Sequence, residues 1–179
     1  LFPLLLKQGK PLFGYTANGI LASESGIPSS LPTKHARIYV DQSAGHDTGL
    51  AIVAVDSTAV QVDLKAYQCD GVTAAGSGSG SIQLPGYGHR AVFVNELITG
   101  LPKDFTGILD IQAATPFAAL TLRTLMNERN DFLMATFPTA DLTRSAPVPI
   151  LFPQIAGGDG YRTEFIFLDT GSGGNLTID

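Results

Sequence analysis

The sequence predicts an all-β protein, an antiparallel β-sandwich, on three observations. Apolar and polar residues alternate with a period of two in one short run after another. Twenty glycines and eleven prolines break a chain of 179 residues, so turn signals separate the runs at the spacing sandwiches use, roughly every 8–12 residues. Segments also resemble one another at a separation of about 105–113 residues, the size of one sandwich module.

Taken in chain order, the alternation and the β-branched or aromatic content predict strands at 36–40, 49–55, 59–67, 79–84, 89–95, 106–114, 117–125 and 132–137. The clearest is Ala59-Val60-Gln61-Val62-Asp63-Leu64-Lys65-Ala66-Tyr67. Val60, Val62, Leu64 and Ala66 fall on one face and Gln61, Asp63 and Lys65 on the other, the pattern of a strand with one wet side. Asn127-Glu128-Arg129-Asn130-Asp131 reads as a polar hairpin and Gly76-Ser77-Gly78-Ser79-Gly80 as a flexible loop. One helical turn is expected at Asn95-Glu96-Leu97-Ile98, closed by Gly100 and Pro102.

The self-similarity sets the domain organisation. Residues 38–45 and the following strand and Asp56-Ser57-Thr58 turn match Ile150-Leu151-Phe152-Pro153-Gln154-Ile155-Ala156-Gly157, then 161–168 and Asp169-Thr170-Gly171. Both share a Gln-x-Ala-Gly string. Pro11-Leu12-Phe13-Gly14-Tyr15-Thr16 with Ile27-Pro28 matches Pro116-Phe117-Ala118-Ala119-Leu120-Thr121 with Phe137-Pro138. The expected division is therefore the tail of one partial module at 1–33, a complete module at 34–143 and the head of another at 146–179. Ser145-Ala146-Pro147-Val148-Pro149 reads as the linker into the last. With no initiator Met and no signal-peptide pattern, the chain reads as an internal fragment or a processed product.

Composition removes several functions. Eleven basic against sixteen acidic residues leave a net charge of −5, with no basic cluster, so no nucleic-acid partner is expected. No apolar run approaches the roughly 20 residues of a membrane helix, so no membrane span is expected. The lone cysteine, Cys69, excludes an intrachain disulfide and reads as an inert thiol.

Chemical candidates are few. The run Phe165-Ile166-Phe167-Leu168-Asp169-Thr170-Gly171-Ser172 has the look of the catalytic loop of an aspartic peptidase, which needs two carboxylates sharing a proton. The other Asp-Thr-Gly, Asp47-Thr48-Gly49, precedes its strand instead of following one. Asp169 also aligns with Asp56, which opens an ordinary turn, so Asp169 reads as a turn residue whose side chain bonds the backbone two residues on. His35, His46 and His89 lie in unrelated segments and no nucleophile elbow exists. No catalytic residue and no cofactor is assigned. A calcium ion is the least improbable metal, on oxygen ligands from Asp41, Asp47 and the Gly157-Gly158-Asp159-Gly160 loop, although no EF-hand or nonapeptide pattern is present. Asn175-Leu176-Thr177 forms a glycosylation sequon, and Lys65, Asn95 and Glu96 are the residue types of a side-chain amide cross-link.

The stretch 149–165, together with Gly88-His89-Arg90-Ala91-Val92-Phe93-Val94-Asn95-Glu96-Leu97, resembles the tandem immunoglobulin-like or fibronectin-like repeat modules of large secreted bacterial surface proteins. That resemblance implies an immunoglobulin-like sandwich and an extracellular or cell-surface structural or adhesive role, without enzymatic activity. The implied partners are neighbouring modules of the same protein or other copies of it, joined head to tail into a filament by strand complementation. Carbohydrate binding is the alternative, a surface glycan being the ligand; it needs aromatics on one face, and the chain has five tyrosines and no tryptophan. A third reading is an aspartic peptidase using Asp169.

Overall fold

The computed structural model describes residues 12–145 and 150–168. Among the described residues ten strands and one helical turn follow in order: β1 Leu12–Ala17, β2 Ile20–Gly26, β3 Thr33–Asp41, β4 His46–Ala54, β5 Val60–Tyr67, β6 Ala74–Leu84, β7 His89–Phe93, α1 Val94–Leu97, β8 Thr106–Met126, β9 Phe132–Pro138 and β10 Ala140–Asp141. Every ladder is antiparallel. The protein is an all-β sandwich.

One strand organises both layers. β8 is 21 residues long. Its first half pairs with β3 on one edge and β5 on the other, and its second half pairs with β4 and β9. The first layer therefore runs β10-β3-β8-β5-β6 and the second β9-β8-β4-β7. Sequence patterning predicts two strands, 106–114 and 117–125, and the structure joins them. The ladder with β5 ends at Ala113, the ladder with β4 begins at Phe117, and β3 shifts register between Thr33 and His35. Pro116, which has no N–H to donate, falls in that gap, where no partner strand asks for one.

Between the layers lies one apolar cluster. Ile38, Val40, Leu109, Ile111, Val62, Leu64 and Ile82 face in from the first layer, and Leu50, Ile52, Phe117 and Ala119 from the second. Val94 and Ile98, in α1 and just after it, close one end.

Gly76-Ser77-Gly78-Ser79-Gly80 is not a loop but part of β6. The glycines answer a packing demand. A Cβ on Gly80 would stand 2.6 Å from the carbonyl oxygen of Leu97, so the end of α1 lies directly on the strand. Gly76, with φ of 59°, lies where the β5–β6 ladder shifts register.

Outside the sandwich, β1 and β2 form a separate two-stranded ribbon around Asn18-Gly19, whose φ values of 51° and 77° are those of a tight hairpin turn. The ribbon leans on β9. Ser23 Oγ accepts a hydrogen bond from the Met134 N–H, Thr136 Oγ1 donates to the Gly26 carbonyl, and the rings of Tyr15 and Phe132 lie 4.7 Å apart. Residues 150–168 form no ladder and only one bridge, Gly158 to Tyr161.

Candidate functional site

Two regions stand out: the polar outer face of the first layer, and the two elements that flank the sandwich without completing a sheet.

On the outer face, strand register lines side chains up in rows. Tyr39, Ile108 and Tyr67 form one; Arg37, Asp110, Lys65 and Ser79 the next; His35, Gln112, Asp63 and Ser81 the third. The β5–β6 side of these rows, with Asp110 and Gln112 of β8, lines a groove of about 680 Å³. Asp110 is buried in it at 4% exposure. Its carboxylate accepts hydrogen bonds from Arg37 Nε at 2.8 Å, Gln112 Nε2 at 2.8 Å and His35 Nε2 at 2.9 Å. Burial pushes the Asp110 carboxyl up, but the donors from Arg37, His35 and Gln112 outweigh it and hold it below the usual carboxylate range. Arg37 and Lys65 both lie over the Tyr67 ring, 5.7 and 5.3 Å from its centroid. His35 Nε2 donates to the Asp110 carboxylate, which ties the imidazole into the same polar row.

The expected calcium ligands are engaged elsewhere. Asp41 takes hydrogen bonds from Ser43 and an ion pair from Arg123; burial raises its carboxyl, and those donors bring it below the ordinary range. Asp47 accepts from the Thr48 N–H, Gln42 and Asn95. Among the described residues no three His, Cys, Asp or Glu side chains group to hold a metal ion. Asp159 is a turn residue with φ of 49°. His46 bonds the Ser43 carbonyl, His89 is exposed on β7, and Cys69 is an exposed thiol in the β5–β6 turn. Lys65 lies over Tyr67, Asn95 binds Asp47 and Glu96 accepts from the Phe93 N–H, so the residues of the amide cross-link are spread over separate contacts. Asp169, with its Thr-Gly-Ser, and the Asn175 sequon lie outside the described residues. Asp56 accepts a hydrogen bond from the Thr58 N–H at 2.7 Å, two residues on.

The flanking elements reproduce local geometry found inside the sandwich. At the β3–β4 corner, Ala44 and Gly45 have φ of 49° and 81°, and the His46 N–H bonds the Ser43 carbonyl at 2.9 Å. Asp159 and Gly160 have φ of 49° and 87°, and the Tyr161 N–H bonds the Gly158 carbonyl at 2.8 Å. Thr48 Oγ1 accepts from the Asp41 N–H at 2.9 Å and donates to the Asp41 carbonyl at 3.1 Å. Thr163 Oγ1 does the same to Ala156, at 2.9 and 2.8 Å. Both clamps reach back seven residues and both turns fall inside them. The structural counterpart of Gly45 is thus Gly160, three residues beyond the Gly157 that the Gln-x-Ala-Gly string suggests.

The β1–β2 ribbon has its own counterpart. Gly14 pairs with Glu24 and Tyr15 with Ser23; Thr124 pairs with Met134 and Leu125 with Leu133. Leu12 to Tyr15 and Ser23 to Gly26 each stand 110 positions before a counterpart in the β8–β9 hairpin, as Gly14 does before Thr124, and the match ends at the register shift between Tyr15 and Thr16. The same shift carries Ile27-Pro28 onto Phe137-Pro138.

No family model, curated protein or solved structure matches the chain.

Sequence reading missed the polar rows, because they depend on which strands neighbour β8. It also passed over Asn18-Gly19, the strongest short-range hairpin signal in the chain, and the threonine clamps, which are visible only as hydrogen bonds.

Proposed function

We propose that this protein is a non-enzymatic extracellular structural or adhesive repeat module that joins its neighbours, or other copies of itself, head to tail by strand complementation. The observation that carries the reading is the pair of flanking elements. β3 and β4 find their ladders on β8, not on each other. The segment 150–168 repeats their turn and clamp, and among the described residues no strand of the β8 kind lies beside it to form a ladder. The segment leaves Phe152 edge-on to Phe165 at 4.9 Å and to Phe167, those two stacked on each other, and Ile150, Leu151 and Ile155 exposed. The ribbon likewise exposes Leu12, Ile20 and Leu21. Unpaired edges and apolar patches of this kind are covered by strand addition in proteins that polymerise.

Light scattering on the full chain over a range of concentrations tests the reading. Growth of mass with concentration, abolished in a Phe165→Asp/Phe167→Asp variant that keeps its β-sheet circular dichroism, is expected. A monodisperse monomer with both flanking segments resistant to protease refutes it. Acid proteolysis sensitive to a pepstatin-type inhibitor would refute the non-enzymatic part.

A second reading rests on the outer face, where Asp63, Gln112, Ser79 and Ser81 present carboxylate, amide and hydroxyl groups beside Tyr67. That combination suits a polyhydroxylated ligand such as a surface glycan. An array without binding removes it.

A further inference from the structure

We infer that the free edge of β1 receives residues 161–164 of a second copy, in the register that β4 and β8 use inside the sandwich. The inference rests on the strand-complementation reading and specifies its geometry. Among the described residues β1 pairs only with β2, and its other edge carries no ladder with any of them. In the sandwich, the strand corresponding to β1 is the second half of β8, and the edge away from β9 is filled by β4. The segment corresponding to the start of β4 is the one that follows the Gly158–Tyr161 turn and contains Thr163. Acceptor and donor are therefore the two halves of a ladder already present once in the molecule.

The template fixes the pairs. His46 faces Leu125, Asp47 faces Thr124 and Gly49 faces Leu122. Carrying each residue to its counterpart sets Tyr161 of one copy against Tyr15 of the other, Arg162 against Gly14, and Glu164 against Leu12. Side-chain chemistry suits this arrangement. Tyr161 is 71% exposed and Tyr15, although packed against Phe132, still 42%, so the pair takes further aromatic surface out of water. Gly14 puts no side chain between Arg162 and Glu24, its own partner on β2; only the flexible end of Leu21 leans over it. Arg162, which in its own segment stands 3.8 Å from Glu164, thus lies in one row with a second carboxylate of opposite charge.

Disulfide trapping between single-cysteine copies tests the register, in a Cys69→Ser background because the native thiol is exposed. Leu12→Cys mixed with Glu164→Cys is expected to give at least about fivefold more mixed disulfide than Ser25→Cys with Glu164→Cys, since Ser25 lies on β2, one strand farther away. In sedimentation, Arg162→Glu is expected to weaken association about fivefold, and Glu24→Arg in the other copy to restore it. Assembly with equal trapping in the two mixtures, or with no response to the charge exchange, overturns the register and leaves strand complementation standing. Failure of the unmodified chain to assemble overturns both.

Discussion

Thr48 tests the geometry on which the correspondence between the sandwich and its flanks depends. The side chain is 1% exposed, and its hydroxyl serves both the N–H and the carbonyl of Asp41, at 2.9 and 3.1 Å. Thr48→Val keeps the shape and removes the hydroxyl, leaving a buried backbone donor and an acceptor short of a partner. Each such group costs about 1–3 kcal/mol, so the variant is expected to lose about 2–4 kcal/mol. Thr48→Ser keeps the hydroxyl and loses one methyl, about 1 kcal/mol. For a domain of this size the first loss lowers the melting temperature by about 10–20 °C and the second by about 5 °C. Urea unfolding followed by circular dichroism at constant m-value separates stability from changes in compactness. The exposed counterpart, Thr163→Val, serves as internal control and is expected to stay within about 0.5 kcal/mol of the unmodified protein. If Thr48→Val proves no worse than Thr48→Ser, the hydroxyl contributes no net stability and the clamp is incidental to the corner.

Three further outcomes are expected. Asp110 and Asp41 have carboxyl groups held below their unfolded range, so the stability they contribute is present above the ordinary carboxyl pKa and is lost as pH falls through the folded one. Urea midpoints should be level between about pH 5 and 7 and drop below about pH 4; Asp110→Asn should flatten that acid limb and cost about 2 kcal/mol at neutral pH. Gly80→Ala, whose methyl meets the Leu97 carbonyl, is expected to destabilise by about 1–3 kcal/mol in thermal unfolding, while Ser81→Ala on the outer face changes little. Cys69 should react with a thiol reagent in the folded protein at the rate of a small free thiol, and slow labelling would contradict its exposed position.

The strands of the sandwich were legible because their faces differ. Val60, Val62, Leu64 and Ala66 are all buried and Gln61, Asp63 and Lys65 all exposed, as the alternation requires. The helical turn came within a residue for a similar local reason. What the sequence hid depends on non-local contact. A glycine-serine run looks like a loop until a second backbone lies on it, as Leu97 does on Gly80. Pro116 looks like a break until the neighbouring ladders are seen to stop on either side of it. The match between flank and corner was legible as composition but not as register, since the shared Gln-x-Ala-Gly string lies three residues away from the turn that the backbone repeats. Of the candidate site, the single residues were visible and their rows were not, because Arg37, Asp110 and Lys65 belong to strands separated by dozens of residues.

The passage of β8 through both layers has a mechanical corollary. In a sandwich whose sheets share no strand, the two sheets are held together by side-chain packing and can slide over each other under load. Here such a slip would have to tear hydrogen bonds from both edges of one continuous backbone, at both ends of it. A domain built on this plan resists shear until the whole unit gives way at once, yielding by unfolding and not by creep.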